Sequence, residues 1–179
     1  MASLIPLHRR TVRIRAFDYT QAACYFVTIC AKANKSLLGR IRDGAMRPNI
    51  VGKIVVACLT ELPYHFANVE IPVHTIMPNH VHSIVVLRDA VRRDVSPRGE
   101  AFSDPIERSV PTIVRSLKSA VTRQARLALK KPGFEAWQRN YFERVIRNDD
   151  EFRKTWQYIC ENPARWEFDS KNPDRREHK

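Results

Sequence analysis

The chain has 179 residues, 44% of them hydrophobic and 9% aromatic, and its 31 lysines and arginines outnumber 19 acids to give a net charge of +12. A chain of this length makes one domain, with or without tails, and buries roughly 70% of its unfolded surface without needing disulfides or a structural metal. The composition excludes a disordered chain, and no apolar run reaches the roughly 18 residues of a membrane helix.

Residues 1–20 are basic and irregular and read as an N-terminal arm or edge strand. Cys24 to Lys32 (CYFVTICAK) is rich in β-branched and aromatic residues and predicts a first strand. A turn region follows through Gly39 to Pro48, with room for one short hairpin. From Asn49 the period changes. Ile50, Val51, Ile54, Val55, Cys58, Leu59 and Leu62 recur at helical steps and predict an amphipathic helix to about Phe66. Val69 to Met77 predicts a second strand, Pro78-Asn79 a tight turn, and His80 to Leu87 a third strand beside it.

Residues 88–108 form a charged, turn-rich loop. A second helix carries Val110, Ile113, Val114, Leu117 and Val121 on its inner side. A short strand is expected around Tyr141 to Ile146. The last helix opens on a capping box of Asn148 and Glu151 and stops before Pro163, with a polar tail at 167–179. The order strand, helix, strand, strand, helix, strand, helix predicts an α+β, ferredoxin-like or RNA-recognition-like antiparallel sheet in a domain spanning 21–166. Helices cover one face of such a sheet, and the other is free to carry a site.

The charge is not evenly spread. Arg115, Lys118, Arg123, Arg126, Lys130 and Lys131 lie between Ser109 and Lys131 with no acid among them. A face built only for solubility mixes signs, so a phosphate-tracking surface is the better account. Cys24, Cys30, Cys58 and Cys160 are far apart and form no Cys-x-x-Cys pair, which argues against a zinc ribbon or disulfide scaffold and for a reducing, cytoplasmic setting. The N-terminal arginines precede no apolar signal core.

His80 and His82 are two apart on a predicted strand, so both leave the same face, where two imidazoles can converge on one cation. Alone, that pattern also fits two polar strand residues. Tyr158 and Asn162 are four apart on the last helix and share a face beside the apolar stripe of Phe152, Trp156 and Ile159. The alternative is a surface tyrosine and an asparagine that caps the helix end.

MPNHVHSIVVL, followed some way on by WQRNYFERVIRNDDEFRKTWQYICENP, resembles the single-tyrosine HUH endonuclease transposases, and among them the REP-associated tyrosine transposases. The opening HRRTVRIRAFDYTQAACYFVTIC and the closing NPARWEFD are similar to that family too. The resemblance implies a metal site at His80-Val81-His82, a nucleophile at Tyr158 and a third, polar ligand at Asn162, where related enzymes often have Gln or His. It also implies attack on single-stranded DNA beside a repetitive extragenic palindrome hairpin, with a 5′-phosphotyrosine link and a free 3′-hydroxyl. Tyr141, on a strand without a ligand-type neighbour at helical spacing, is the rival nucleophile.

The chemistry is consistent with this. Breaking a phosphodiester needs an in-line oxygen nucleophile and a cation to offset charge on the phosphate oxygens. Two imidazoles and an amide oxygen suit Mg²⁺ or Mn²⁺, and no organic cofactor is called for. DNA contacts are expected from the second helix (Arg115, Lys118, Arg123, Arg126), from Arg13 and Arg15 in the arm, and from Lys154 beside Tyr158. Tyr25, Phe26, Trp137, Tyr141 and Phe142 are candidates for base stacking. A non-catalytic nucleic-acid binder on the same fold, a repressor or RNA chaperone, is the alternative. Both a monomer and a homodimer fit the sequence, and a DNA partner implies association with the nucleoid.

Overall fold

The computed structural model describes residues 23–88, 109–173 and 175. The basic arm with Arg13 and Arg15 and nearly all of the 88–108 loop lie outside the described residues. The elements are β1 (Ala23–Cys30), a hairpin of β2 (Gly39–Arg42) and β3 (Ala45–Pro48), α1 (Ile50–His65), β4 (Val69–Met77), β5 (His80–Leu87), α2 (Val110–Leu129), β6 (Phe142–Ile146) and α3 (Asp149–Glu161), which runs into a 3-10 helix (Asn162–Phe168). The strands pair antiparallel in the order β4-β5-β1-β6. With the small hairpin set aside, this is the ferredoxin-like arrangement.

Local chemistry explains where the helices start. The Asn49 side chain accepts from Val51 N and Gly52 N at 2.9 and 3.0 Å, satisfying two donors that α1 cannot use internally. Gly52 is there because a Cβ would come within 2.1 Å of the Leu38 carbonyl oxygen, so α1 can sit against that backbone only with a glycine. Asn148 accepts from Glu151 N at 2.8 Å and caps α3. Glu151 returns its carboxylate to Arg147 N at 3.1 Å, one residue before the N-cap.

The sheet has two unlike faces. Val81, Val85 and Leu87 of β5 join Tyr25, Val27 and Ile29 of β1 and the buried sides of α1 and α2 in one large apolar core. On the opposite face Ile84, Ile146 and Ile159 form a small cluster, with Phe26, Val73, Val86 and Phe152 packed around it. α3 lies on this second face, so two helices cover one side and the third covers the other. The expected domain end at residue 166 falls inside the 3-10 helix. Within the segment expected as a polar tail, the described residues around Lys171 lie against the β4–β5 turn, where the Lys171 carbonyl accepts from Asn79 Nδ2 at 2.7 Å. The apolar side of α3 is also shifted: Thr155, Ile159 and then Asn162 are buried, whereas Trp156, expected on that stripe, is 38% exposed.

Candidate active site

The alternation of β5 puts His80 and His82 beneath α3, and both are buried (0% and 2% exposed). Their Nε2 atoms are 3.0 Å apart. Each ring is fixed from behind. His80 Nδ1 donates to Asn79 Oδ1 at 2.8 Å, and His82 Nδ1 is 2.8 Å from the hydroxyl of Thr28, its register partner on β1. An amide oxygen only accepts, so His80 carries its proton on Nδ1 and turns a lone pair inward. Burial pushes the His80 imidazole down to about 4, with the Asp169 carboxylate opposing and the Lys171 ammonium adding to the fall. Burial, then His80 and Lys171, hold His82 well below its ordinary value. Both rings are neutral at physiological pH, as ligands must be.

α3 reaches this pair through Ile159, which packs on Ile84 and Ile146. Tyr158, 45% exposed, hangs at the edge with its hydroxyl 3.4 Å from His82 Nε2. Its ring meets Phe26 edge-on, at 6.0 Å between centroids. Burial and then the Asp169 carboxylate push the phenol above its ordinary pKa, and a hydrogen bond from the Asn162 side chain works against them. Asn162 is 4% exposed, and its Oδ1 has no hydrogen-bond partner.

One residue was missed. Asp169, just past the 3-10 helix, brings Oδ2 to 4.0 Å from His80 Nε2, and one ligand atom each from His80, His82 and Asp169 lie within 4.8 Å of one another. Lys171 is the second charge on this segment that acts on both histidines. No periodicity marks either residue. The only signal was their nearness to the end of the tyrosine helix.

The expected DNA contacts divide. Arg115, Arg123 and Arg126 are exposed and line an open cleft of about 1140 Å³ between α2 and the segment leading to β6. Lys118 lines it too, but its ammonium donates to the carbonyls of Gln138, Arg139 and Asn140 at 2.9, 3.2 and 3.1 Å, so it ties down that segment. Lys154 pairs with Asp150 at 2.7 Å as an exposed helix-surface ion pair. Tyr141 packs against the large core, away from the histidines, and donates to Glu143 at 2.9 Å. Among the stacking candidates, Tyr25 and Trp137 are buried in that same core. Phe26 stacks on His82 at 5.1 Å, and Phe142, 55% exposed, flanks Phe26 at 6.4 Å.

These residues fit a divalent cation. Ligands about 2.1 Å from one ion and at right angles to each other sit about 3.0 Å apart, and the two imidazole nitrogens have that separation. The unpartnered Asn162 oxygen is a buried acceptor without a donor, a costly state that a cation relieves.

The architecture is an antiparallel ferredoxin-like sheet with two buried histidines beneath a tyrosine-bearing helix. The chain has the fold of a solved REP-associated tyrosine transposase, bound in that structure to a REP hairpin: the TM-score is 0.57 and the identity 20%, over 86% of this chain and 73% of the other. No family model matches the chain. It is 33% identical over 167 residues to an uncharacterized protein of Haemophilus influenzae, covering 90% of this chain and 92% of that protein, and the two belong to one family.

Proposed function

We propose that the chain is a metal-dependent enzyme that nicks and rejoins single-stranded DNA through Tyr158, acting beside palindromic hairpins of the REP type. The observation that carries the reading is the 3.4 Å approach of the Tyr158 hydroxyl to a buried pair of neutral histidines. His80 and His82 would hold the cation together with Asn162, and Mg²⁺ or Mn²⁺ suits this donor set. A bound divalent ion would offset charge growing on the scissile phosphate and lower the pKa of nearby hydroxyls.

The chain's own residues do the rest. Burial and the Asp169 carboxylate raise the phenol above its ordinary pKa, so Tyr158 is protonated in the resting site. The Asn162 hydrogen bond aims the phenol oxygen and favours its ionised form. Attack forms the bond from the phenol oxygen to phosphorus and breaks the bond from phosphorus to the 3′-oxygen. The proton lost by the phenol is balanced by the one gained at the 3′-hydroxyl. A phosphodiester is exchanged for a phosphodiester, so the reverse reaction can join another 3′-end. Phe26 and Phe142 offer ring faces for bases next to the scissile phosphate. Arg115, Arg123 and Arg126, with Arg13 and Arg15 of the arm, supply phosphate contacts whose strength falls steeply with salt. DNA as partner implies a cytoplasmic, nucleoid-associated protein. Nicking of this kind needs one tyrosine helix per site, which either a monomer or a homodimer provides.

The test is direct. The protein is incubated with Mn²⁺ and labelled hairpin oligonucleotides carrying a single-stranded flank, and covalent adduct is sought on a denaturing gel. Wild type forms the adduct, Tyr158→Phe does not, and His80→Ala loses cleavage while keeping most DNA binding. Adduct formation by Tyr158→Phe would remove Tyr158 as nucleophile. DNA binding without any adduct from the wild type would leave a binding protein.

A further inference from the structure

We propose that Asp169 is an additional protein ligand of the cation, closing the site from the 3-10 side and supplying its only carboxylate among the described residues. The proposal rests on the metal-dependent reading above. Its geometry comes from a network that ties the end of the chain to the histidine strand. Asn79 accepts from His80 Nδ1 through Oδ1 and donates through Nδ2 to the Lys171 carbonyl, at 2.8 and 2.7 Å. One side chain thus sets both the His80 ring and the backbone two residues beyond Asp169. Trp166, in the 3-10 helix, lies 6.1 Å from the His80 ring between centroids. Asp169 itself is held by its backbone N–H donating to Trp166 O at 3.1 Å and by its Oδ1 accepting from Lys171 N at 2.7 Å. Oδ2 is left over, and it points to His80 Nε2 across 4.0 Å.

That gap is informative. It is too long for a hydrogen bond. It falls between the spacings of two ligands at right angles and two opposite each other around one ion, about 3.0 and 4.2 Å for ligand distances near 2.1 Å. Asp169 has a side chain only 7% exposed, so its carboxylate lacks the solvent that normally stabilises one. Charge gives a second reason. Without Asp169 the donors are two neutral imidazoles and one amide, and the Lys171 ammonium acts on the same pocket. The ammonium opposes a dication that the neutral donors would bind, and one carboxylate offsets it. A carboxylate also turns the site towards Mg²⁺ and Mn²⁺, which prefer oxygen.

The test reads metal binding without DNA, so that catalysis plays no part. Mn²⁺ is titrated into the full chain while the signal of free Mn²⁺ is followed by electron paramagnetic resonance, for wild type, Asp169→Asn and His82→Ala. Asp169→Asn keeps shape and removes charge, and it should weaken Mn²⁺ binding by about 100-fold or more, beyond the range typical of residues that only orient ligands. Circular dichroism of the metal-free proteins checks that the fold persists. If Asp169→Asn binds Mn²⁺ as wild type does while His82→Ala does not, Asp169 is no ligand and the histidine site stands. If wild type binds no Mn²⁺, both ideas fall. A second variant guards against misfolding: Asp169→Cys with Cd²⁺ should show an added thiolate-to-cadmium charge-transfer band beyond the signal of wild type, whose own free cysteines include the exposed Cys160. Absence of that band in a folded variant also overturns the assignment.

Discussion

The two faces of the sheet are made by the same strands and do opposite jobs. Towards α1 and α2, β5 contributes Val81, Val85 and Leu87 to a broad apolar core. Towards α3 it contributes His80 and His82, and among the described residues Ile84, Ile146 and Ile159 form the buried apolar patch that keeps the helix there. Strand alternation therefore separates the main core from the candidate site one residue at a time. Buried imidazoles are tolerated because their back nitrogens are partnered and the apolar burial is done on the far side.

His82 and Val81 are neighbours on β5 that face opposite sides, and their variants should differ most. His82→Ala should cut adduct formation by about 1000-fold or more, the scale on which preorganised electrostatic groups act, even under conditions where it is fully folded. Val81→Ala should cost about 1–3 kcal/mol of stability by opening a cavity and cleave DNA normally below its melting temperature. Paired cleavage assays and urea melts decide. If Val81→Ala is the variant that loses activity, the division of labour between faces is wrong.

The small patch should fail locally. Ile159 is fully buried and is the apolar residue of α3 that enters the second cluster as a core member. Ile159→Ala should loosen α3 at a cost of about 2–4 kcal/mol, and hydrogen exchange in Asp149–Glu161 should rise well before the large core is affected. Adduct yield should fall in parallel. Uniform exchange throughout the molecule would show that α3 and the main core unfold as one unit.

A smaller effect is expected behind the histidines. Thr28→Val removes the hydroxyl 2.8 Å from His82 Nδ1 and nearly keeps its volume. The ring then has no partner to fix its tautomer, and Mn²⁺ affinity measured by calorimetry should drop by about 10–100-fold. An unchanged affinity would mean that packing against Phe26 alone holds the ring.

The same alternation explains what the sequence could show. The β4–β5 hairpin is legible because apolar periodicity flanks Pro78-Asn79, and β5 begins at His80 as the pattern predicts. Asn49 and Asn148 mark helix starts by the chemistry of their side chains. Tyr158 and Asn162 are legible as a helical pair. Thr28 is not, because its role depends on the register of β1 against β5. Nor are Asp169 and the bridging part of Asn79, because the contact of Asn79 with Lys171 joins positions 92 residues apart in a segment with no repeating pattern. Charge misled at Lys118. A run without acids reads as an outward face, yet the helix turns this one ammonium towards the segment before β6.

Lys118 also extends the comparison, since it is a charge half-buried on the apolar side of the molecule. Burial lowers its pKa to about 8, from an ordinary value of 10.5. Below about 8 folded and unfolded chains are both protonated here, and the residue contributes no slope. Between about 8 and 10.5 the unfolded chain holds more protons than the folded one, so its contribution to stability grows with pH. Lys118→Met, which leaves three carbonyls without their donor, should lose about 1 kcal/mol at neutral pH, and its deficit against wild type should widen as pH rises through that window. Urea unfolding of both proteins from neutral pH to pH 10 measures the gap. A constant deficit would mean that the ammonium stays charged among its carbonyls, and that even the apolar side of this fold holds a full charge when enough acceptors surround it.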